Sequence, residues 1–108
     1  MALFEHVIML RQDLSNTDLD KELANHREML GQLDGNVVYN ESWGLRSLAY
    51  PIKENKKAFY EFMNIELPQN KVSELNEKIN LNENIIRYLS IKVKSFANTP
   101  TLMVKEKE

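Results

Sequence analysis

The apolar positions of this chain repeat at two spacings, and the spacing switches along its length. Residues 2–10 (Ala-Leu-Phe-Glu-His-Val-Ile-Met-Leu) end in an unbroken apolar run from Val7 to Leu10, which reads as a strand covered on both faces. Leu3, Val7 and Met9 share one parity and Phe4, Ile8 and Leu10 the other, so greasy side chains point outward whichever way this strand faces. After a polar break at Asp13 to Asn16, Leu19, Leu23, Leu30 and Leu33 fall on one stripe at helical period and predict a helix over 17–33. Ser15 or Thr17 suits its N-cap, Asp18, Asp20 and Glu22 complement its dipole, and Gly35 suits the stop. Gly31 costs about 1 kcal/mol against Ala if it is helical.

Residues 37–52 predict a long second strand that breaks strand grammar in the stretch Trp43 to Ile52. Gly44 inside it points to a bulge or a close backbone approach, Arg46 sits among apolar neighbours, and Tyr50-Pro51 closes it. Lys53-Glu54-Asn55-Lys56 has turn composition. A third strand, rich in aromatics, is expected over 57–67: Met63, Ile65 and Leu67 make the core parity, which leaves Tyr60 and Phe62 exposed. Pro68 ends it and suits the first turn of a helix over 69–81, where Val72, Leu75 and Ile79 form one face. Residues 85–94 are the fourth strand. It admits two parities: one buries Ile85, Leu89, Ile91 and Val93 and takes Arg87 inside, the other buries Ile86, Tyr88 and Ser90.

The order β-α-β-β-α-β, with one apolar stripe on each helix, predicts an α+β fold of the ferredoxin-like type: a four-stranded antiparallel sheet with two helices on one face. Right-handed crossovers place strands 1 and 3 in the centre and strands 2 and 4 at the edges. Residues 1–96 form the expected domain, and 97–108, from Asn98-Thr99-Pro100 onward, an expected mobile tail. The helix-free face should be polar if it meets only water. The outward parities of strands 1 and 3 make it apolar instead, which marks a partner surface.

Composition narrows the picture. No cysteine is present, so disulfides, thiolate metal sites and cysteine nucleophiles are excluded. No apolar run reaches the ~18 residues of a membrane helix, and the start lacks a signal-peptide pattern, so a cytoplasmic protein with no membrane partner is expected. The net charge of −2 argues against a simple polyanion binder, but it is unevenly spread. Residues 1–42 carry three Lys/Arg against eight Asp/Glu, whereas 43–108 carry eleven against eight, clustered at Arg46, Lys53, Lys56 and Lys57 and at Arg87, Lys92 and Lys94. His6 and His26 are the only histidines and have no metal-ligand spacing, and no phosphate-loop, dinucleotide or nucleophile-elbow motif occurs. Glu61 reads as a plain surface or edge residue. The expectation is a binding module, with no enzyme activity, cofactor, metal or small-molecule substrate. Tyr39, Trp43 and Tyr50 suit either packing or base stacking, and Arg46 and Arg87 suit either phosphate contacts or surface ion pairs.

The segment Leu48-Ala49-Tyr50-Pro51-Ile52 within Trp43–Ile52, the run Met63-Asn64-Ile65-Glu66-Leu67-Pro68, and Asn84-Ile85-Ile86-Arg87 followed by Lys92 closely resemble the bacterial small-subunit ribosomal protein number six family, over residues 2–94. The resemblance implies the same ferredoxin-like fold, a place in the cytoplasmic ribosome, and a structural role: binding the central domain of small-subunit rRNA as a heterodimer with ribosomal protein number eighteen. It implies RNA contacts at Phe4, Arg46, Arg87, Lys92 and Lys94, and partner contacts at Leu48, Tyr50, Pro51, Tyr60, Phe62 and Leu89. It also places Arg87 on the open face and His6 toward the helices. The chain departs from the family pattern at Ala2, Phe4 and Ser47, where a basic residue, a tyrosine and a second basic residue are usual. Two rival readings explain the open face without RNA: a ferredoxin-like small-molecule-binding or regulatory domain paired through its sheet, and a dimeric α+β-barrel enzyme using His6 or His26 as base.

Overall fold

The computed structural model describes residues 1–96, and the expected tail over 97–108 lies outside the described residues. The elements are β1 (Ala2–Arg11), α1 (Asn16–Gln32), β2 (Asn36–Ile52), β3 (Asn55–Leu67), a 3-10 turn (Gln69–Lys71), α2 (Val72–Asn80) and β4 (Ile85–Val93). The sheet runs β2-β3-β1-β4, all neighbours antiparallel, so strands 1 and 3 are central as the crossover rule requires. Among the described residues no helix is long and apolar enough to cross a membrane.

One core lies between the sheet and the helices. Phe4, Ile8 and Leu10 from β1, Met63, Ile65 and Leu67 from β3, and Ile85 from β4 meet Leu30 and Leu33 at the end of α1 and Leu75 and Ile79 of α2. The period-2 and period-3.6 stripes therefore meet on a single side. β3 keeps the expected core parity, and β1 turns its even positions inward.

Both ends of α1 are set locally. The Ser15 hydroxyl accepts the Asp18 amide at 3.1 Å, which makes Ser15 the N-cap. At the other end the Asp34 amide donates to the Gly31 carbonyl and the Gly35 amide to the Leu30 carbonyl, a Schellman closure. Its left-handed residue is Asp34, with φ of 65°, and not the glycine. Gly35 is needed for a different reason: a Cβ there would lie 2.6 Å from the Glu66 carbonyl oxygen and 2.9 Å from Leu67 Cδ1. The second helical segment is shorter than expected because its first turn, after Pro68, is 3-10.

The irregularity of β2 is what shapes the far side of the sheet. Its register against β3 shifts between Ser42 and Gly44, and Gly44 takes φ of 76°. This is a bulge with Trp43 as the extra residue. The register shifts again between Ser47 and Ile52, so residues 48–51 leave the ladder. The hairpin then closes with Ile52 opposite Asn55 through Lys53 and Glu54, both at positive φ, the geometry of a type I′ turn. The Asn55 side chain braces this turn by donating to the Ile52 and Lys53 carbonyls.

Candidate interface on the helix-free face

The bulge lays the Trp43 indole over the sheet. Its ring stacks on Phe62, 5.4 Å away at 17°, and on Tyr60 at 6.5 Å. Glu41 fixes the arrangement: one carboxylate oxygen accepts the Trp43 indole N–H at 2.7 Å and the other accepts the Tyr39 hydroxyl at 2.6 Å. That bond to a carboxylate, made by the protonated phenol, raises the Tyr39 hydroxyl above its ordinary range. Phe62 is thus sealed at 1% exposure, beside buried Val7. The expectation of an exposed Phe62 is corrected: it lies on the helix-free face but beneath a lid of the protein's own making.

Tyr39 on β2 is 46% exposed, and toward β4 the face stays open as well. Leu89 (47% exposed) and Ile91 (37%) stand on the outer strand. At one end, Met9, Leu48, Tyr50, Ile52, Tyr60 and Arg87 line, with Ala49, a shallow hollow of about 160 Å³. Tyr50 and Pro51 are exposed, while Leu48 and Tyr60 are partly buried. The Arg87 guanidinium donates to the Tyr50 hydroxyl at 3.2 Å and lies 5.9 Å from its ring centre. The segment that leaves the β2–β3 ladder is therefore tied to β4 across this face.

Both parities proposed for strand 4 are partly right, because the strand pairs irregularly. Between Met9 and Leu10 its register shifts, Arg87 standing opposite Met9 and Ile85 opposite Leu10. Ile85 and Ile86 are both buried, and beyond the shift Tyr88 and Ser90 turn to the helices while Arg87, Leu89 and Ile91 turn away. The same alternation separates the expected RNA contacts. Lys92, opposite core residue Phe4, leaves on the helix side, where its ammonium donates to Gln69 Oε1 at 2.6 Å. With Lys94, Val93, Met1, Ala2 and Leu3 it borders an open concavity of about 590 Å³. Arg46 is partly buried, with its Nε donating to the Trp43 carbonyl. Phe4 is also corrected. Its ring is packed in the helix-side core at 7% exposure, because β1 turns its even positions inward, and it presents no face to a ligand.

Sequence reading missed the polar groups buried on the helix side. Glu61, expected at the surface, is 1% exposed and accepts from Ser42 Oγ at 2.7 Å and Asn40 Nδ2 at 3.1 Å. Asn40 in turn accepts from Arg27 on α1. Burial pushes the Glu61 carboxyl up, against the pull of those two hydrogen bonds and of Arg27. A raised carboxyl binds its proton more tightly folded than unfolded, so its stabilisation is full at acid pH and is lost as pH rises through its folded pKa. Glu61→Gln is accordingly expected to raise stability at pH 7. The gain should fade as the pH is lowered to where wild-type Glu61 is protonated, checked by urea unfolding at both pH values.

His6 and His26 form the second buried group. Their Nε2 atoms are 3.1 Å apart, and His6 Nδ1 is 2.6 Å from Ser90 Oγ. Desolvation, then the neighbouring ring, lowers His6 to about 3; desolvation lowers His26 to about 4, with Glu22 opposing it. Among the described residues no three side chains of metal-ligating type converge.

An antiparallel α+β sheet with one bare face, part aromatic lid and part open apolar strip flanked by cations, defines a docking domain of ferredoxin-like type. The model of the Ribosomal protein S6 family matches residues 3–92, and the chain belongs to that family. It is 41% identical over 105 residues to small ribosomal subunit protein bS6 of Rickettsia prowazekii (strain Madrid E), covering 97% of this chain and 87% of the relative. To its counterpart from Zymomonas mobilis subsp. mobilis it is 39% identical over 105 residues, covering 97% and 85%. The crystal structure of 30S ribosomal protein S6 from Thermotoga maritima shares the fold, with a TM-score of 0.80 over 98% of this chain and 94% of that one at 17% identity. The family is a structural, non-enzymatic component of the small subunit, so this chain's place is the cytoplasmic ribosome, and the barrel-enzyme reading falls away.

Proposed function

We propose that this chain binds the central domain of small-subunit rRNA jointly with ribosomal protein number eighteen, the partner covering the open strip and RNA meeting the cations around it. The observation that carries this reading is β4 itself. One nine-residue edge strand exposes Leu89 and Ile91 beside Arg87 on one face and Lys92 on the other. Apolar surface of that kind calls for a protein, and lysine and arginine on its margins call for phosphate. Leu48, Tyr50, Pro51 and Tyr60 extend the protein-facing part, and Lys94 and Arg46 the RNA-facing part. Phe4 and Phe62 act only by supporting the sheet.

Few cations and an acidic total imply that the chain alone grips RNA weakly and that the partner neutralises most phosphates. Each neutralised phosphate adds about 0.7–0.9 to the log–log salt slope, so three or four cations give a slope of about 2–4. The test is filter binding of a central-domain rRNA fragment across a salt series, with and without the partner. Binding alone should be weak and shallow in salt, Lys92→Ala should reduce the slope by about 1, and the partner should steepen it. Tight binding with a steep slope by this chain alone would overturn the division of labour.

A further inference from the structure

The two histidines of the chain take no part in the open face, yet they make a joint between three elements. His6 comes from β1 and His26 from α1, and Ser90 comes from β4. His6 has no exposed surface and His26 only 4%. The rings are parallel to within 5°, with centroids 5.2 Å apart. Two Nε2 atoms at 3.1 Å share one proton: one nitrogen donates N–H and the other must offer a bare lone pair. A second proton on that line leaves two donors facing each other without solvent.

We propose that the His6–His26 pair is an acid-sensitive joint, fastening α1 to the sheet while both rings are neutral and releasing that hold when they are protonated. The surrounding charges do not offset the burial. On α1, Glu22 stands one turn before His26 and favours its cation, but less than desolvation opposes it; the carboxylate is also held by the Asn82 and Asn84 side chains. On β3, Glu61 is engaged by Asn40 and Ser42. On β4, Tyr88 and Lys92 share the helix side, and Lys92 is drawn to Gln69. Glu5 of β1, opposite Asn64 and Ile91, points to the other face. On α2, Glu74, Glu77 and Lys78 are exposed to water.

The sign follows from the lowered values of both rings, about 3 and about 4, against an ordinary 6.5. The unfolded chain takes up protons that the folded one refuses. Stability from the pair is therefore complete above about pH 6.5 and is lost as pH falls toward those values, by about tenfold in the folded-to-unfolded ratio per pH unit for each ring.

The experiment is urea unfolding of the full chain at pH 7.5, 6.5, 5.5 and 5.0, read by Trp43 fluorescence and by circular dichroism. Wild type should lose roughly fiftyfold in the ratio between pH 6 and 5, because both rings begin to titrate near 6.5 in the unfolded chain, and the double variant His6→Leu with His26→Leu should lose far less over that interval. Equal losses in the two proteins would overturn the proposal. Should the variant not fold, nitrogen-15 imidazole shifts of the wild type decide. Rings that stay neutral in the folded protein down to pH 5 support the joint, and rings that titrate near 6.5 with the fold intact refute it.

Discussion

Phe62→Ala should cost about 3–5 kcal/mol, the loss that accompanies truncation of a fully buried aromatic ring. On a domain of this size that lowers the melting midpoint by about 12 °C or more, since each kcal/mol is worth about 4–8 °C. The lid is what makes the loss large. Phe62 lies on the helix-free face, where a ring would ordinarily meet water or a partner, but the Trp43 indole stacks on it and Glu41 holds the indole in place. Removing the ring strips Trp43 of its floor and leaves a void beside Val7. Leu89→Ala is the control. Leu89 is on the same face but 47% exposed, so its truncation should cost under about 1 kcal/mol and show itself in heterodimer formation instead. Urea unfolding of both variants, with partner binding measured on the Leu89 protein, separates the two roles. Equal and mild losses would mean that Trp43 is no lid and that Phe62 is open to the partner after all.

Gly35→Ala is the second large effect, expected at about 2–3 kcal/mol destabilising. The new methyl would press on the Glu66 carbonyl oxygen at 2.6 Å, which is backbone of central strand β3 and cannot rotate away. Relief requires the α1–β2 connection to lift off the sheet, and Leu33 and Leu30 are anchored just before it. Gly31→Ala, four residues earlier, should do the opposite. Nothing lies within 4 Å of a Cβ there, and the residue is helical, so about 1 kcal/mol is gained. Thermal melts of the two variants moving in the same direction would contradict this account.

These glycines show how far reading the chain can go. Gly35 is correctly placed at the end of α1 from sequence, but as the left-handed stop; Asp34 holds that conformation, and the reason for Gly35 is a strand thirty residues away. Gly44 is legible as a bulge because a glycine inside a strand pattern has few other uses. What the bulge does with Trp43 is not legible, since it depends on the register of β3. The candidate site divides in the same way. Arg87, Lys92, Lys94, Leu89, Tyr50 and Pro51 are at the surface as expected, whereas Phe4 and Phe62 are enclosed. The pairing of His6 with His26 and the burial of Glu61 have no signal in the sequence, because each is defined by partners distant along the chain.

The order of strands and helices, the side on which the core forms and the central place of strands 1 and 3 follow from the chain alone. Periodicity and handedness are local properties, and every element reports them independently of its neighbours. Which face each β4 residue takes, which aromatic is covered, and which polar groups lie in the interior belong to the assembled molecule. A single shift in strand register reverses a side chain's direction, and a buried pair exists only once two separate segments have met.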